Sequence, residues 1–156
     1  MNSHDLRLEV ENLYADYVDC LDNGPLDRWP EFFTDECVYE IVTRENIERK
    51  LPLALMRCES RGMLIDRVVA VQRTSVFSPR TLRHVVSSLR VRADDRAIRA
   101  AANFAVFETV IDEPTRVFVA GRYLDQLVRV GDQLRFARKQ CVLDSPLILG
   151  SLIYPI

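Results

Sequence analysis

Apolar residues near the start of the chain recur every three or four positions, at Leu6, Val10, Leu13, Tyr14, Tyr17 and Leu21. That period lines one face of an α-helix and predicts a helix over about residues 5–22. Asn23-Gly24-Pro25 breaks it, and Pro25 is suited to open a second, short helix with Leu26, Trp29, Phe32 and Phe33 on one side. "CVYEIV" then reads as a short strand, and the irregular "TRENIERKLPLALMRCES" leads to a third helix over about residues 62–73, with Leu64, Val68 and Val71 facing inward.

The second half changes period. Turn signals at Ala93-Asp94-Asp95, Asp112-Glu113-Pro114 and Gly131-Asp132 separate β-rich runs at about 83–93, 97–111, 116–130 and 133–144. These predict an antiparallel meander whose strands exceed the usual five or six residues, so the sheet must twist and curl. Val117, Val119, Tyr123 and Leu127 alternate along one run and are expected to face the helices. The predicted fold is one cone-shaped α+β domain over residues 1–156, with the helices in the concave face of the sheet.

Charge then narrows the partners. Lys and Arg number 21 against 23 Asp and Glu, a net charge of -2 without a basic stripe, which argues against nucleic acid. Charged residues make up 28% of the chain, yet residues 145–156 have none. That segment is shorter than the roughly 20 residues a membrane helix needs, and the N-terminus has no signal-peptide pattern, so a cytoplasmic protein without a membrane segment is expected. Leu147, Ile148, Leu149, Leu152, Ile153, Tyr154 and Ile156 either form an interface with another chain, where charges are depleted, or pack on their own subunit. The widely spaced Cys20, Cys37, Cys58 and Cys141 read as reduced core thiols.

Candidate chemistry is sparse. The two histidines are His4, expected in a frayed terminus, and His84. No iron, Rieske or zinc ligand set can be assembled from the sequence, and there is no nucleophile elbow, phosphate loop or dinucleotide fingerprint. Acid–base chemistry remains: His84 with Asp66 or Asp19, aided by Tyr17 or Tyr123, would move protons in a dry pocket. Equally, Asp66, Arg67, Arg83 and His84 read as a structural or interface network tying helix to sheet. Asp22 and Asp27 read as turn or capping residues, and the aromatics from Tyr14 to Tyr39 as core.

The segments "YADYVDCLDNGPLDRWPEFFTDECVYEIV", "MLIDRVVAVQ", "LRHVVSSLRV", "GRYLDQLVRV" and "CVLDSPLILGSLIYPI" together cover most of the chain. In this order the sequence resembles the small, or beta, subunit of bacterial aromatic-ring-hydroxylating oxygenases, with salicylate 5-hydroxylase and terephthalate dioxygenase subunits as the nearest expected likeness. Tyr17, Asp22, Trp29, Phe32, Asp35 and Tyr39 fit the wider nuclear-transport-factor-like superfamily, while Asp66-Arg67, Arg83-His84 and Leu143-Asp144-Ser145 point to the oxygenase subunit. The resemblance implies a non-catalytic assembly subunit without a cofactor of its own. Three copies would form a trimeric core carrying three large alpha subunits, which hold the 2Fe-2S Rieske cluster and the mononuclear iron. The other reading from the residues is a stand-alone, cofactor-free dehydratase, isomerase or cyclase using His84, Asp66 and Tyr17.

Overall fold

A computed structural model describes residues 3–75, 78–94 and 97–156. Helix α1 (Ser3–Asn23) buries Leu6, Val10, Tyr14, Tyr17 and Leu21, the stripe expected from its period, and already includes His4. Gly24 ends it with a φ of 75° while its N–H reaches the Cys20 carbonyl, a left-handed cap that favours glycine. A 3-10 helix (Leu26–Phe32) follows and seats the fully buried Trp29. Strand β1 (Phe33–Thr43) therefore begins earlier than expected: Phe33 pairs with Phe136 instead of ending a helix.

The stretch expected to be irregular holds a short helix, α2 (Arg44–Glu48), and an edge strand, β2 (Met56–Cys58). Helix α3 (Arg61–Val69) starts at Ser60, whose hydroxyl accepts the Met63 N–H, and continues as a π-helical turn (Ala70–Thr74). Four long strands complete the chain: β3 (Arg80–Ala93), β4 (Ile98–Val110), β5 (Arg116–Val130) and β6 (Gln133–Leu143). They form the expected antiparallel meander, and Asp112 and Gly131 adopt positive φ at two of its turns. Asp95, in the third expected turn, lies outside the described residues.

All six strands make one sheet in the order β2-β1-β6-β5-β4-β3, antiparallel throughout except between β1 and β6. Its inward side chains and those of α1, the 3-10 helix and α3 share one core. Bulges bend the sheet around that core. Opposite Val106 and Phe107 stand Val119 and Val117, leaving Phe118 as an extra residue on β5. The side-chain alternation shifts there, which corrects one expectation: Val119, Tyr123 and Leu127 are buried, whereas Val117 is exposed.

Gly121 marks the closest approach of β5 to β6. A Cβ there would lie 1.9 Å from the Val142 carbonyl oxygen, a backbone atom that cannot swing aside. Gly121→Ala is expected to cost about 2–3 kcal/mol by overpacking, lowering the calorimetric unfolding midpoint by roughly 5–10 °C. Gly131→Ala, with open space around it but a φ of 61°, should cost only about 1 kcal/mol.

Candidate functional site

The interior of the cone is built around Lys139. A register shift between β5 and β6 before Lys139 turns this residue to the same side as Phe136, and its side chain has no solvent exposure. The ammonium lies 2.9 Å from Asp125 Oδ2, on a side chain equally buried. It also sits 3.6 Å from the ring centre of Tyr123 and 4.5 Å from that of Tyr17, so aromatic faces surround the cation. Tyr14 donates its hydroxyl hydrogen to Asp125 Oδ2, and the Gln140 N–H binds Oδ1 at 3.2 Å. Burial pushes the Asp125 carboxyl above its usual range, against the pull of Lys139 and these hydrogen bonds. Removing one member of such a pair strands the other and typically costs about 3–5 kcal/mol.

Beside this pair the tail of the chain closes the interior. The Ile156 carbonyl accepts hydrogen bonds from Tyr17 at 2.9 Å, Tyr39 at 3.2 Å and Cys141 Sγ at 3.2 Å, and the Ile156 N–H donates to Tyr39 at 2.8 Å. Trp29 Nε1 donates to the Tyr17 oxygen. Tyr17, a candidate proton carrier in the sequence, is therefore committed to the tail. Burial raises the Tyr17 and Tyr39 phenols well above their ordinary value and pushes the Cys141 thiol up to about 12. The tail itself divides: Ile156 is buried and Ile148, Leu152, Ile153 and Tyr154 pack on the core, but Leu147 is 82% and Leu149 56% exposed.

His84 has a carboxylate partner, but it is not the expected one. Asp22, in the last turn of α1, meets His84 Nδ1 at 2.6 Å and the His84 backbone N–H at 2.8 Å. Arg83 stands 4.0 Å from the same carboxylate. Asp66 is exposed on α3, and Arg67 beside it is half-buried near Cys58. The reason is topological: α1 packs on β3, whereas α3 packs on β1 and the 3-10 helix. Of the expected network only Arg83 and His84 come together, and Asp22, expected as a turn or capping residue, stands in place of Asp66 and Arg67. Asp19 binds Asn23 on the surface, and Tyr123 stacks on Phe104 with ring centres 4.3 Å apart.

An Nδ1–H donated to Asp22 would leave His84 Nε2 as an acceptor, yet Nε2 is buried without a partner, as is the Tyr123 hydroxyl. The neighbouring cavity, about 280 Å³, is lined by Asp22, Cys20, Arg80, Leu82 and Tyr154 but not by the imidazole. The dyad can fix a tautomer and join helix to sheet. It presents no ring nitrogen to a substrate-sized space.

Two buried glutamates escaped the sequence reading. Glu40 is held by Arg57 at 2.7 Å, Arg138 at 2.5 Å and Gln140 at 2.8 Å, and Glu108 by Arg80 and Arg116. All four cysteines are free and buried. Among the described residues no three His, Cys, Asp or Glu side chains converge in a group that could hold a metal ion.

The family model for the ring hydroxylating beta subunit matches residues 17–149. The chain belongs to this family. It is 37% identical over 149 residues to the anthranilate 1,2-dioxygenase small subunit of Burkholderia cepacia, covering 95% of this chain and 92% of that protein. The expected likeness to terephthalate dioxygenase is present too: beta subunit 2 of the Comamonas terminal oxygenase component is 26% identical over 139 residues, covering 88% of this chain and 90% of that protein. The crystal structure of a beta subunit assigned to an aromatic-ring-hydroxylating dioxygenase of Novosphingobium aromaticivorans superposes with a TM-score of 0.90. It shares 33% identity and covers 99% of both chains. The nuclear-transport-factor-like α+β cone is thus the fold of a ring-hydroxylating beta subunit, and the match takes in Tyr17, Asp22, His84, Asp125 and Lys139. The named relatives are small, or beta, subunits of ring-hydroxylating dioxygenases.

The division of the tail is open to mutation. Ile156→Ala should lower stability by about 2–4 kcal/mol, as for other buried large-to-small changes. Leu147→Ser with Leu149→Ser should stay within about 0.5 kcal/mol in thermal unfolding.

Proposed function

We propose that this beta subunit assembles and stabilises a multicomponent oxygenase that hydroxylates an aromatic acid. Family membership over residues 17–149 is the observation that carries this reading. The named relatives are subunits of dioxygenases of anthranilate and terephthalate, both ring carboxylates, which supports an aromatic acid as the substrate class. The 2Fe-2S Rieske cluster and the mononuclear iron belong to a separate large alpha subunit, fed by an NADH-dependent reductase. Three small and three large chains make the complex, with the small chains as its trimeric core.

The complex works in the cytoplasm, without nucleic acid or membrane. No helix among the described residues is long and apolar enough to cross a bilayer, which is compatible with that location. A stand-alone acid–base enzyme is not favoured: its three residues do not meet, since Tyr17 holds the tail, Asp66 lies outside and His84 Nε2 opens on no cavity.

A tagged copy purified from its native host should bring down a larger chain and iron, with the visible absorbance of an iron–sulfur cluster. Substituting His84→Gln should reduce the stability of the free chain but leave turnover per assembled complex unchanged. A colourless, iron-free chain with its own activity, abolished by that substitution, would overturn the proposal.

A further inference from the structure

The outer face of the sheet carries a groove of about 520 Å³ lined by five arginines, with the core residues Ala100 and Asp125 at its base, the latter already paired with Lys139. Arg90 and Arg92 on β3, Arg99 on β4, Arg122 on β5 and Arg138 on β6 line it, over a floor that includes Ala101 and Leu124. Register places Arg92 directly opposite Arg99, Arg99 opposite Gln126, and Gln126 opposite Arg138. Like charges facing across a strand pair are destabilising. Arg99 and Arg138 are partly compensated by Asp94 and Glu40. Arg90, Arg92 and Arg122 have no acidic partner among the described residues. Such a face is complementary to a surface that presents carboxylates.

The same chain offers them. On its exposed side α1 presents Asp5, Glu11, Asp16 and Asp19, outside any ion pair among the described residues, around the 52% exposed Leu8. The spacing also matches. Glu11 to Asp19 spans about 12 Å along the helix, and Arg92 to Arg138 crosses three strand spacings, about 14 Å.

We propose that the acidic face of α1 in one copy docks on the arginine groove of the next. α1 covers the inner side of the sheet and the groove lies on the outer side, so the two patches point away from each other. A two-fold dimer cannot satisfy both. The contact is heterologous and closes only as a ring of three or more copies. This rests on the reading of the chain as an assembly subunit and identifies the surface by which the copies meet.

The test uses the full-length chain in sedimentation and native mass measurements, with circular dichroism to verify folding. The unaltered chain should form a ring of at least three copies, weakened by added salt. Arg92→Glu with Arg122→Glu, or Asp16→Arg with Glu11→Arg, should raise the association midpoint roughly a hundredfold, since opposed like charges cost several kcal/mol at an interface. Mixing these two reversed chains should restore association through the swapped contact. Neutral Arg92→Gln with Arg122→Gln should weaken assembly less and serves if the reversed variant misfolds.

A stable dimer, assembly indifferent to the reversals, or a mixture that stays dissociated would each overturn the inference. Capture of the large chain is read from the same preparations. Failure of every version to capture it contradicts the subunit reading, whereas loss of capture on groove reversal with self-association intact assigns the groove to the large chain and overturns docking between copies.

Discussion

Lys139 is held in the middle of a hydrophobic core with Asp125 at 2.9 Å, and most of the interior is arranged to make that pair tolerable. Four rings present their faces to the ammonium, Tyr14 and the Gln140 amide occupy the carboxylate, and none of this can be wetted without opening the sheet. An apolar pair of similar volume would often be at least as stable. The buried ion pair joins β5 to β6 at the register of Asp125 with Lys139, just beyond the bulge, where Lys139 shares the inward side of Phe136.

The closing of the cone follows from that arrangement. Beside Lys139, Asp125 and the rings that fill the centre, Ile156 satisfies the polar atoms of Tyr17, Tyr39 and Cys141, while the Tyr123 hydroxyl stays buried without a partner. Folds of this shape can hold a ligand in the concavity, but here the chain's own tail occupies the place. What such a beta subunit contributes to an oxygenase must come from its exterior: the arginine groove, the exposed side of α1, and Leu147 and Leu149.

Much of the architecture was legible because it rests on local period. The α1 stripe, the Gly24 stop, the four long strands and the turns at Asp112 and Gly131 follow from spacing and turn chemistry. The parallel pairing of β1 with β6 and the bulge at Phe118 were not legible, since both depend on how distant strands meet. The same limit applies to the polar sites. His84 needed a carboxylate, and choosing Asp22 over Asp66 required knowing that the end of α1 reaches β3. Asp125 did leave a signal: it shares the inward parity of Tyr123 and Leu127 on one strand and so had to find a buried cation.

The account depends most on the interior being sealed. Burial holds the phenols of Tyr14, Tyr17, Tyr39 and Tyr123 well above their usual value of 10.0. A group raised in the folded state stabilises the fold fully below its unfolded value, and that stability is lost as pH climbs through the folded value. The loss here begins at about pH 10, where phenols of the unfolded chain ionise. An alkaline titration recording phenolate absorbance together with far-ultraviolet circular dichroism tests the seal directly. The account predicts that these four phenols ionise only as the helix and sheet signal collapses, in one step. Ionisation of all four near pH 10 in a chain that keeps its native dichroism would show that water reaches the interior, and would contradict it.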